Sequence, residues 1–483
     1  MVDTILVANR GEIAVRVLRG IREAGYRSAA IYTDVDRRAL HLAHADTAYR
    51  VDSYLQPEAV IAAAQLAGAG ALHPGYGFLS ENAEFAAMCR QAGIIFIGPP
   101  ADSIRSLGSK TAAREAALRA GAPVIPGTDG PVTELAEARR VASAIGYPVL
   151  IKAAAGGGGK GMRLVEREAE LESALRDAAS EAERSFRSGE VYIEKALIRP
   201  RHIEIQVFGD QFGNLIHFGE RECSIQRRHQ KVIEECPSPL VEQYPEMRTA
   251  MGEAALRVAR AAGYTNAGTA EFLVDSDRNF YFLEMNTRLQ VEHPVTELVT
   301  SVDLVQMQIE AAFGAELPLR QEDVRWRGAA IQCRLYAEDP ANQYFPSPGR
   351  IERLRMASGP GVRLDSGVYE GWTVPMEYDP LLAKLCVWAE DRPKAIARMQ
   401  RALRETEILG IANNVAFFRQ LLAEERFRKA ELHTAYLSDF TYLPEVELTE
   451  NEVRAAIAVL TANEMNSVPA MPVVAARSPW SRR

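Results

Sequence analysis

The sequence predicts a mixed α/β chain: a doubly wound parallel sheet at the N terminus, a small glycine-loop unit, and a larger α+β region after it. Three observations carry this. Short apolar runs alternate with helix-spaced segments up to about residue 112, the pattern of strands joined by helical crossovers. A glycine run flanked by lysines, "IKAAAGGGGKGMRLV", lies between two strand-like runs. From about residue 197, strands of period two such as "HIEIQVFG" and "AAIQCRLYAED" take over. At 483 residues the chain exceeds one comfortable core, so several subdomains are expected.

Each element has a local reason. "TILVAN" is a short apolar strand. "GEIAVRVLRGIREAG" repeats apolar residues at Ile13, Val17 and Ile21 and closes at Gly25, the spacing of an amphipathic helix with a glycine stop. "SAAIYTD" is a second strand, and further α/β units run through "ALHPGYGFLSEN" to "IIFIGPP". The first strand–helix turn has one glycine, Gly11, and no GxGxxG, so residues 1–112 read as a Rossmann-like domain without a dinucleotide fingerprint. The helical "KTAAREAALRAGA" and the turn-rich "PVIPGTDGP" lead into a unit over 113–196, where helix, strand, glycine loop, strand, helix and strand follow in order. Residues 197–445 form the larger region. The tail, 446–483, holds a helix-spaced run, "ENEVRAAIAVL", and then a segment whose composition reads as disordered.

Composition excludes several classes of function. A hydrophobic fraction of 47% with 25% charged residues is ordinary for a globular protein. No apolar run reaches the length of a membrane span, and "MVDTILVANR" lacks the basic region and cleavage site of a secretory signal, so a cytoplasmic enzyme is expected. Cys89, Cys223, Cys236, Cys333 and Cys386 are scattered, with no CxxC pair, which argues against a disulfide framework or a zinc site. A net charge of −8 leaves no electrostatic footprint for nucleic acid or an anionic membrane.

In the glycine loop, Lys152 stands at a strand end, and Gly156, Gly157, Gly158, Gly159, Lys160 and Gly161 follow. Consecutive glycines let backbone N–H groups approach phosphate oxygens closely, and the lysines add charge. This is not a Walker motif, because Gly161 rather than Ser or Thr follows Lys160. Between two strands such a loop can fold down as a flap over a nucleotide. A flexible linker is the alternative.

The stretch "YFLEMNTRLQVEHP" opens like a buried strand yet carries Glu284 and Asn286, then Arg288 and Glu292. If "TAEFLVD" and "FYFLEMN" form a hairpin around a loop over 276–279, Asp275 opposes Phe280. Counting outward, Val274 faces Tyr281, Leu273 faces Phe282, Phe272 faces Leu283 and Glu271 faces Glu284. Opposed carboxylates repel unless a cation lies between them. Asn286 points to the same face, and three oxygen-bearing side chains at a strand end suit Mg²⁺. A solvated edge pair and a slip in register are the alternatives. Beyond the strand, Pro294 and the polar spacing predict a loop through 294. There Arg288 offers a fork for a planar oxyanion and Glu292 a base. An anion that binds arginine and must lose a proton fits this pair, bicarbonate among them.

Elsewhere, "CSIQRRHQKVIEE" clusters Arg227, Arg228, His229 and Lys231. Arg334 lies on the polar face of "IQCRLY" with Gln332 and Tyr336, and Lys110 stands at a helix start, where phosphate is favoured. In isolation, a charged surface turn and a solvated strand arginine are the simpler accounts of the first two.

Taken together, "ILVANRGEIAVRVLR", "HPGYGFLSEN", "GGGGKGM", "CSIQRRHQKVIEE", "EMNTRLQVEHPVTE" and "CRLYAEDP" resemble biotin carboxylase, in order and at family spacing over about residues 3–440. The resemblance implies an ATP-grasp fold with an N-terminal Rossmann-like domain, a central glycine-loop lid and a C-terminal α+β domain. It implies that ATP phosphorylates bicarbonate to carboxyphosphate, which delivers CO₂ to the ureido nitrogen of biotin, with Mg²⁺ (or Mn²⁺) as the metal. ATP contacts are implied at Lys110, Lys152, the glycine loop through Met162, Glu194, Lys195, Leu197, His202, Gln226 and His229, with Lys231 near the transferred phosphoryl group. Glu271 and Glu284 match the Mg²⁺ ligands. Arg288, Gln290 and Val291 match the bicarbonate pocket, Glu292 the base, and Arg334 the residue that steadies the biotin enolate. Ala329 stands where the family often has histidine, and Ala155 where many members begin the glycine run; neither replaces a residue assigned to chemistry.

Nothing in the chain resembles the methionine-lysine-methionine site of biotin attachment, and no carboxyltransferase region is found. The chain is therefore expected to work with a separate biotin carboxyl carrier protein and a carboxyltransferase subunit, and the resemblance separately implies a homodimer. It leaves the final carboxyl acceptor open among acetyl-CoA, another acyl-CoA and pyruvate. Another ATP-grasp ligase and an inactive nucleotide-binding scaffold are the competing readings. The Arg288, Glu292 and Arg334 constellation disfavours the first, and the filled metal and base positions disfavour the second.

Overall fold

The strand Thr4–Val7, buried along its whole length, is central to a five-stranded parallel sheet. The spatial order is Thr47–Arg50, Arg27–Tyr32, Thr4–Val7, Ala71–His73, Ile95–Phe96. The chain therefore winds first to one side of Thr4–Val7 and then to the other, and the loops leaving Thr4–Val7 and Ala71–His73 part at a topological switch point, where such sheets open a crevice. Asn9 ties the two loops together, donating from Nδ2 to the carbonyls of Pro74 (2.7 Å) and Tyr76 (2.8 Å). The helix Gly11–Glu23 buries Ile13, Val17 and Ile21, as its spacing predicts.

The structure is a computed structural model that describes residues 2–108, 110–128, 130–132, 134–153, 162–186, 189–444 and Arg454. The predicted loop glycines Gly156, Gly157, Gly158, Gly159 and Gly161, Lys160 and Ala155 lie outside the described residues, as does the predicted tail apart from Arg454. The expected order of helix, strand, strand, helix and strand is found over 135–195. Val149–Ala153 pairs with Arg163–Val165 on one side and Val191–Lys195 on the other, and the helices Leu135–Ile145 and Glu168–Phe186 share its apolar core.

An eight-stranded antiparallel sheet follows, in the spatial order Phe280–Asn286, Asn266–Val274, Arg201–Gly209, Leu215–Arg227, Gln230–Cys236, Ala329–Tyr336, Leu381–Ala389, Val362–Ser366. One face is apolar: Ile203, Ile205, Ala270 and Phe272 pack with Met251, Ala255 and Val258 of the helix Glu246–Ala261. The alternate residues of the same strands, among them Glu204 and Glu271, point the other way. Ala329–Tyr336 differs from expectation. It is buried along its whole length, so the face carrying Arg334 is polar without being solvated. The strand lies mid-sheet between Gln230–Cys236 and Leu381–Ala389, which alternation alone does not reveal. Among the described residues no helix is long and apolar enough to cross a membrane. All five cysteines are free and buried.

Candidate active site

The hairpin of Asn266–Val274 and Phe280–Asn286 sets Glu271 opposite Glu284, as expected, but through a different register. Its loop runs over 275–279: the Asp275 amide donates to the Asn279 carbonyl (3.0 Å), and Asp275 Oδ1 accepts from the amides of Asp277 and Asn279 (2.9 Å each). Val274 therefore faces Phe280, Leu273 faces Tyr281 and Phe272 faces Phe282, each one residue away from the predicted partner. A β-bulge at Leu283 then restores the count at Glu284. The two offsets cancel. The aspartate turn lengthens the loop. The bulge keeps Phe282 against Phe272 in the core while Leu283 and Glu284 both line the cleft.

This pair belongs to a longer row. Cross-strand register sets Glu284, Glu271, Glu204 and Arg221 side by side. Neighbouring carboxylates in such a row require cations. Arg221, fully buried, donates Nε to Glu204 (2.5 Å). Lys231 Nζ reaches Glu204 (2.5 Å), Glu271 (2.7 Å) and Glu292 (2.7 Å) at once. Burial opposes the ammonium charge of Lys231, but the three carboxylates hold it well above the usual lysine range. Burial likewise pushes the Glu271 carboxyl up, and Lys231 with His202, whose Nε2 lies 3.2 Å away, outweighs it and holds the group well below its ordinary value.

Metal-ligating atoms of His202, Glu204 and Glu271 come within 4.8 Å of one another, and Glu284 faces Glu271 on the cleft side. Asn286 donates Nδ2 to Glu271 (2.8 Å), while its Oδ1 accepts from Arg288 (3.1 Å). Carboxylate oxygens opposed at the edge of a cleft fit a hard divalent cation. The arginine on the Asn286 oxygen makes that residue a support to the glutamates before it is a ligand.

After Asn286 the chain loops as predicted, but only through Glu292. The helix His293–Thr300 begins there with Pro294 in its first turn, where a missing N–H is harmless. Arg288 donates Nε to Glu81 (2.8 Å) and reaches Gln290 Oε1 (3.1 Å). Glu81 also accepts from the Thr287 amide (3.0 Å), so it clamps the start of the loop. Glu292, fully buried, takes Lys231 on Oε1 and Arg334 Nη2 on Oε2 (2.9 Å). Arg334 Nε pairs with Glu234 (2.5 Å), whose other oxygen accepts from Gln332 (3.0 Å). Burial pushes the Glu292 carboxyl up, yet Lys231, Arg334 and Arg221 hold it well below the carboxylate range.

A hydrogen-bonded chain, Glu271–Lys231–Glu292–Arg334, thus joins two clefts. The first, about 720 Å³, brings together Lys152, Met162, Glu194, Lys195, Leu197 and His202 with Gln226, His229, Glu271 and Glu284. Lys152 pairs with Glu194, and Lys195 Nζ donates to the carbonyls of Gly146 and Tyr147 (3.0 Å each). Lys110 begins the helix Lys110–Arg119, as expected; its side chain lies outside the described residues. The predicted basic cluster does not form one patch. Arg228 and His229 are the two-residue hairpin turn, with φ of 49° and 67°, Arg227 turns to Glu338 (2.7 Å), and Lys231 turns inward. The second cleft, about 470 Å³, takes Arg288, Val291 and Arg334 on one wall and residues 9–13 and 76–78 of the switch point on the other.

Glu204, Arg221, Glu234 and Glu81 were not singled out from the sequence, nor was the wall of the second cleft formed by residues 9–13 and 76–78. The rule that singled out Glu284, a charge inside an otherwise apolar strand, also fits Glu204 in "HIEIQVFG" and would have found it. The wall at 76–78 comes from the quoted "HPGYGFLSEN" and carried no role.

Comparison with known proteins gives a consistent result. The chain matches the biotin carboxylase N-terminal domain over residues 1–104, the ATP-binding domain of the carbamoyl-phosphate synthase L chain over 109–320, and the biotin carboxylase C-terminal domain over 332–439. It is 48% identical over 447 residues to biotin carboxylase 1 of Bacillus subtilis, covering 91% of this chain and 99% of that one. Among solved structures, the biotin carboxylase domain dimer of Hydrogenobacter thermophilus 2-oxoglutarate carboxylase, in complex with MgADP, ADP and bicarbonate, is 44% identical with a TM-score of 0.85, covering 92% of this chain and all of that one. The biotin carboxylase subunit of a pyruvate carboxylase is 46% identical with a TM-score of 0.82, covering 92% of this chain and all of that one.

Proposed function

The chain belongs to the biotin carboxylase family, an ATP-dependent ligase using Mg²⁺, ATP and biotin, and from that premise we propose how its two clefts divide the reaction. The first cleft takes ATP. Lys110 and Lys152 meet its phosphates, the loop over 156–161 with Met162 covers them, and Glu194, Lys195, Leu197, His202, Gln226 and His229 frame the nucleotide. Glu271 and Glu284, backed by Asn286, hold the Mg²⁺, which when bound neutralises charge on the phosphates during transfer. Arg288, Gln290 and Val291 bind bicarbonate, and Glu292 takes its proton.

With Lys231 and Arg334 both on it, Glu292 is a weak base. It gains basicity as Lys231 turns to the transferred phosphoryl oxygens and Arg334 to the oxyanion of biotin in the second cleft. The observation that carries this reading is the Glu271–Lys231–Glu292–Arg334 chain, because it sets a proton acceptor between the two clefts.

In the same reading biotin arrives on a carrier protein, and a carboxyltransferase subunit passes the carboxyl group to acetyl-CoA or another acyl-CoA. Similarity to the corresponding part of a pyruvate carboxylase supports pyruvate as acceptor to the same degree. The dimer of the Hydrogenobacter domain supports a homodimer. ADP release by the purified chain, with bicarbonate and free biotin varied independently, tests the reading. Dependence on both is expected. Turnover that needs bicarbonate but ignores biotin, even biotin on a carrier protein, would point to another ATP-grasp ligase, and nucleotide binding without turnover to a scaffold.

A further inference from the structure

Lys384 has no contact with solvent, and it lies directly opposite Arg334 in the pairing of Ala329–Tyr336 with Leu381–Ala389. Two opposed cations destabilise a sheet unless anions surround them. Arg334 has Glu234 and Glu292. Lys384 has Glu12 Oε2 at 3.0 Å and Asp365, its cross-strand neighbour on the other side, at 3.6 Å. Nζ also donates to the carbonyl of Val291 at 3.0 Å. The opposed cations therefore grip consecutive residues of the loop: Lys384 the backbone of Val291, and Arg334 the carboxylate of Glu292.

The same ammonium acts on the other wall of the second cleft. Glu12 stands in the first turn of the helix Gly11–Glu23, and its Oε1 accepts from the hydroxyl of Tyr76, which lines the cleft with Gly77 and Phe78. The Lys384 ammonium also lies 5.8 Å from the centre of the Tyr76 ring. Backbone packing leaves little freedom here, because a Cβ on Gly367 would sit 2.6 Å from the Glu12 amide nitrogen. One buried side chain thus links three segments far apart in sequence, and two of them are opposing walls of the second cleft.

We propose that Lys384 is a positioning residue for biotin carboxylation, fixing Glu292 through the Val291 carbonyl and the Tyr76 wall through Glu12. It touches no reactant. The proposal rests on the reading of Glu292 and the second cleft given above. Nucleotide contacts lie on the far side of Lys231 and do not depend on it. A residue that only held the fold together would affect both clefts alike.

The test is steady-state kinetics with Mg-ATP, bicarbonate and free biotin, alongside ADP affinity by calorimetry, on the parent chain, Lys384→Met and Glu12→Gln. For Lys384→Met, kcat falls about 100-fold and the KM for biotin rises about tenfold, while ADP affinity stays within about threefold. For Glu12→Gln, which keeps the side chain's size, the KM for biotin rises about fivefold and kcat falls less than that. Should Lys384→Met fail to fold, the Glu12→Gln split decides. Folded variants with the parent's kcat and KM, or with ADP affinity lost in step with kcat, overturn the proposal. A parent chain that binds ADP but never carboxylates biotin overturns the underlying reading instead, and the proposal with it.

Discussion

Across the eight-stranded sheet, the strands Phe280–Asn286, Asn266–Val274 and Arg201–Gly209 set Glu284, Glu271 and Glu204 in a row, whereas Ala329–Tyr336 and Leu381–Ala389 set Arg334 against Lys384. Neither half is electrostatically satisfied by its own strands. The acidic half receives Lys231 from Gln230–Cys236, and the basic half receives Glu292 from the loop over 287–292. Those two residues are in turn bonded to each other. The difference between the halves shows how a buried polar site can stay charged: beside its own pairs, Arg221 with Glu204 on one side and Arg334 with Glu234 on the other, each half takes one further ion partner from its opposite. Charged substrates can then meet side chains that are already ionised and exchange partners with them.

The largest effect is expected on the basic side. Arg334→Ala should lower biotin carboxylation by about 10²- to 10³-fold while ATP still binds. It removes the paired cation of Glu234 and leaves Glu292 with Lys231 alone, so a fall in thermal midpoint is expected too. Carboxylation at the parent's rate would detach the basic half from the chemistry.

Asp365 tests the same half through pH. Burial pushes its carboxyl up, but Lys384 and Arg363 draw it down to about 2, below the ordinary 3.8. A carboxyl with a depressed folded value contributes stability that is full above its unfolded value and is lost as pH falls through the folded one. Asp365→Asn should therefore be less stable than the parent by on the order of 2 kcal/mol at neutral pH, with the gap closing as pH falls through about 2. Urea midpoints from neutral to acid pH check this; a gap that does not change with pH would refute the charge pairing.

On the acidic side, Glu284→Gln should raise the Mg²⁺ needed for half-maximal activity about tenfold. A Mg²⁺ titration that does not shift would remove Glu284 from the metal site. The smallest effect is expected at the edge, where Glu81 is 39% exposed and holds Arg288. Glu81→Gln should raise the KM for bicarbonate about two- to fivefold with kcat unchanged, the scale of a partly exposed pair. A larger loss in kcat would mean that Glu81 reaches the reacting atoms.

The two halves also differ in how far the sequence reveals them. Apolar runs and helix spacing locate the strands around Thr4–Val7 and the helix Gly11–Glu23 because each is a local pattern. The Glu271–Glu284 pair is legible because a hairpin joins neighbours in sequence, although the predicted register reached it through two errors that cancelled. Glu204 stands opposite Glu271 through a pairing that spans more than sixty residues of sequence, and no local pattern encodes that. The basic half is less legible still. Lys384 opposite Arg334, Glu12 beside Lys384, and the second cleft between residues 9–13, 76–78 and 334 all arise from packing between distant segments. Arg334 reads as solvated in isolation because period two distinguishes the faces of a strand, not whether a face is covered.

The measurement that bears most directly on the link between the halves is transfer of label from bicarbonate to biotin by Glu292→Gln, with ADP binding followed on the same protein. Glutamine keeps the shape between Lys231 and Arg334 and removes the proton acceptor. ADP affinity is expected to be retained while label transfer falls by at least about 100-fold. Label transfer at the parent's rate would contradict this, and the proton would then have to leave through a group other than the one that joins the two clefts.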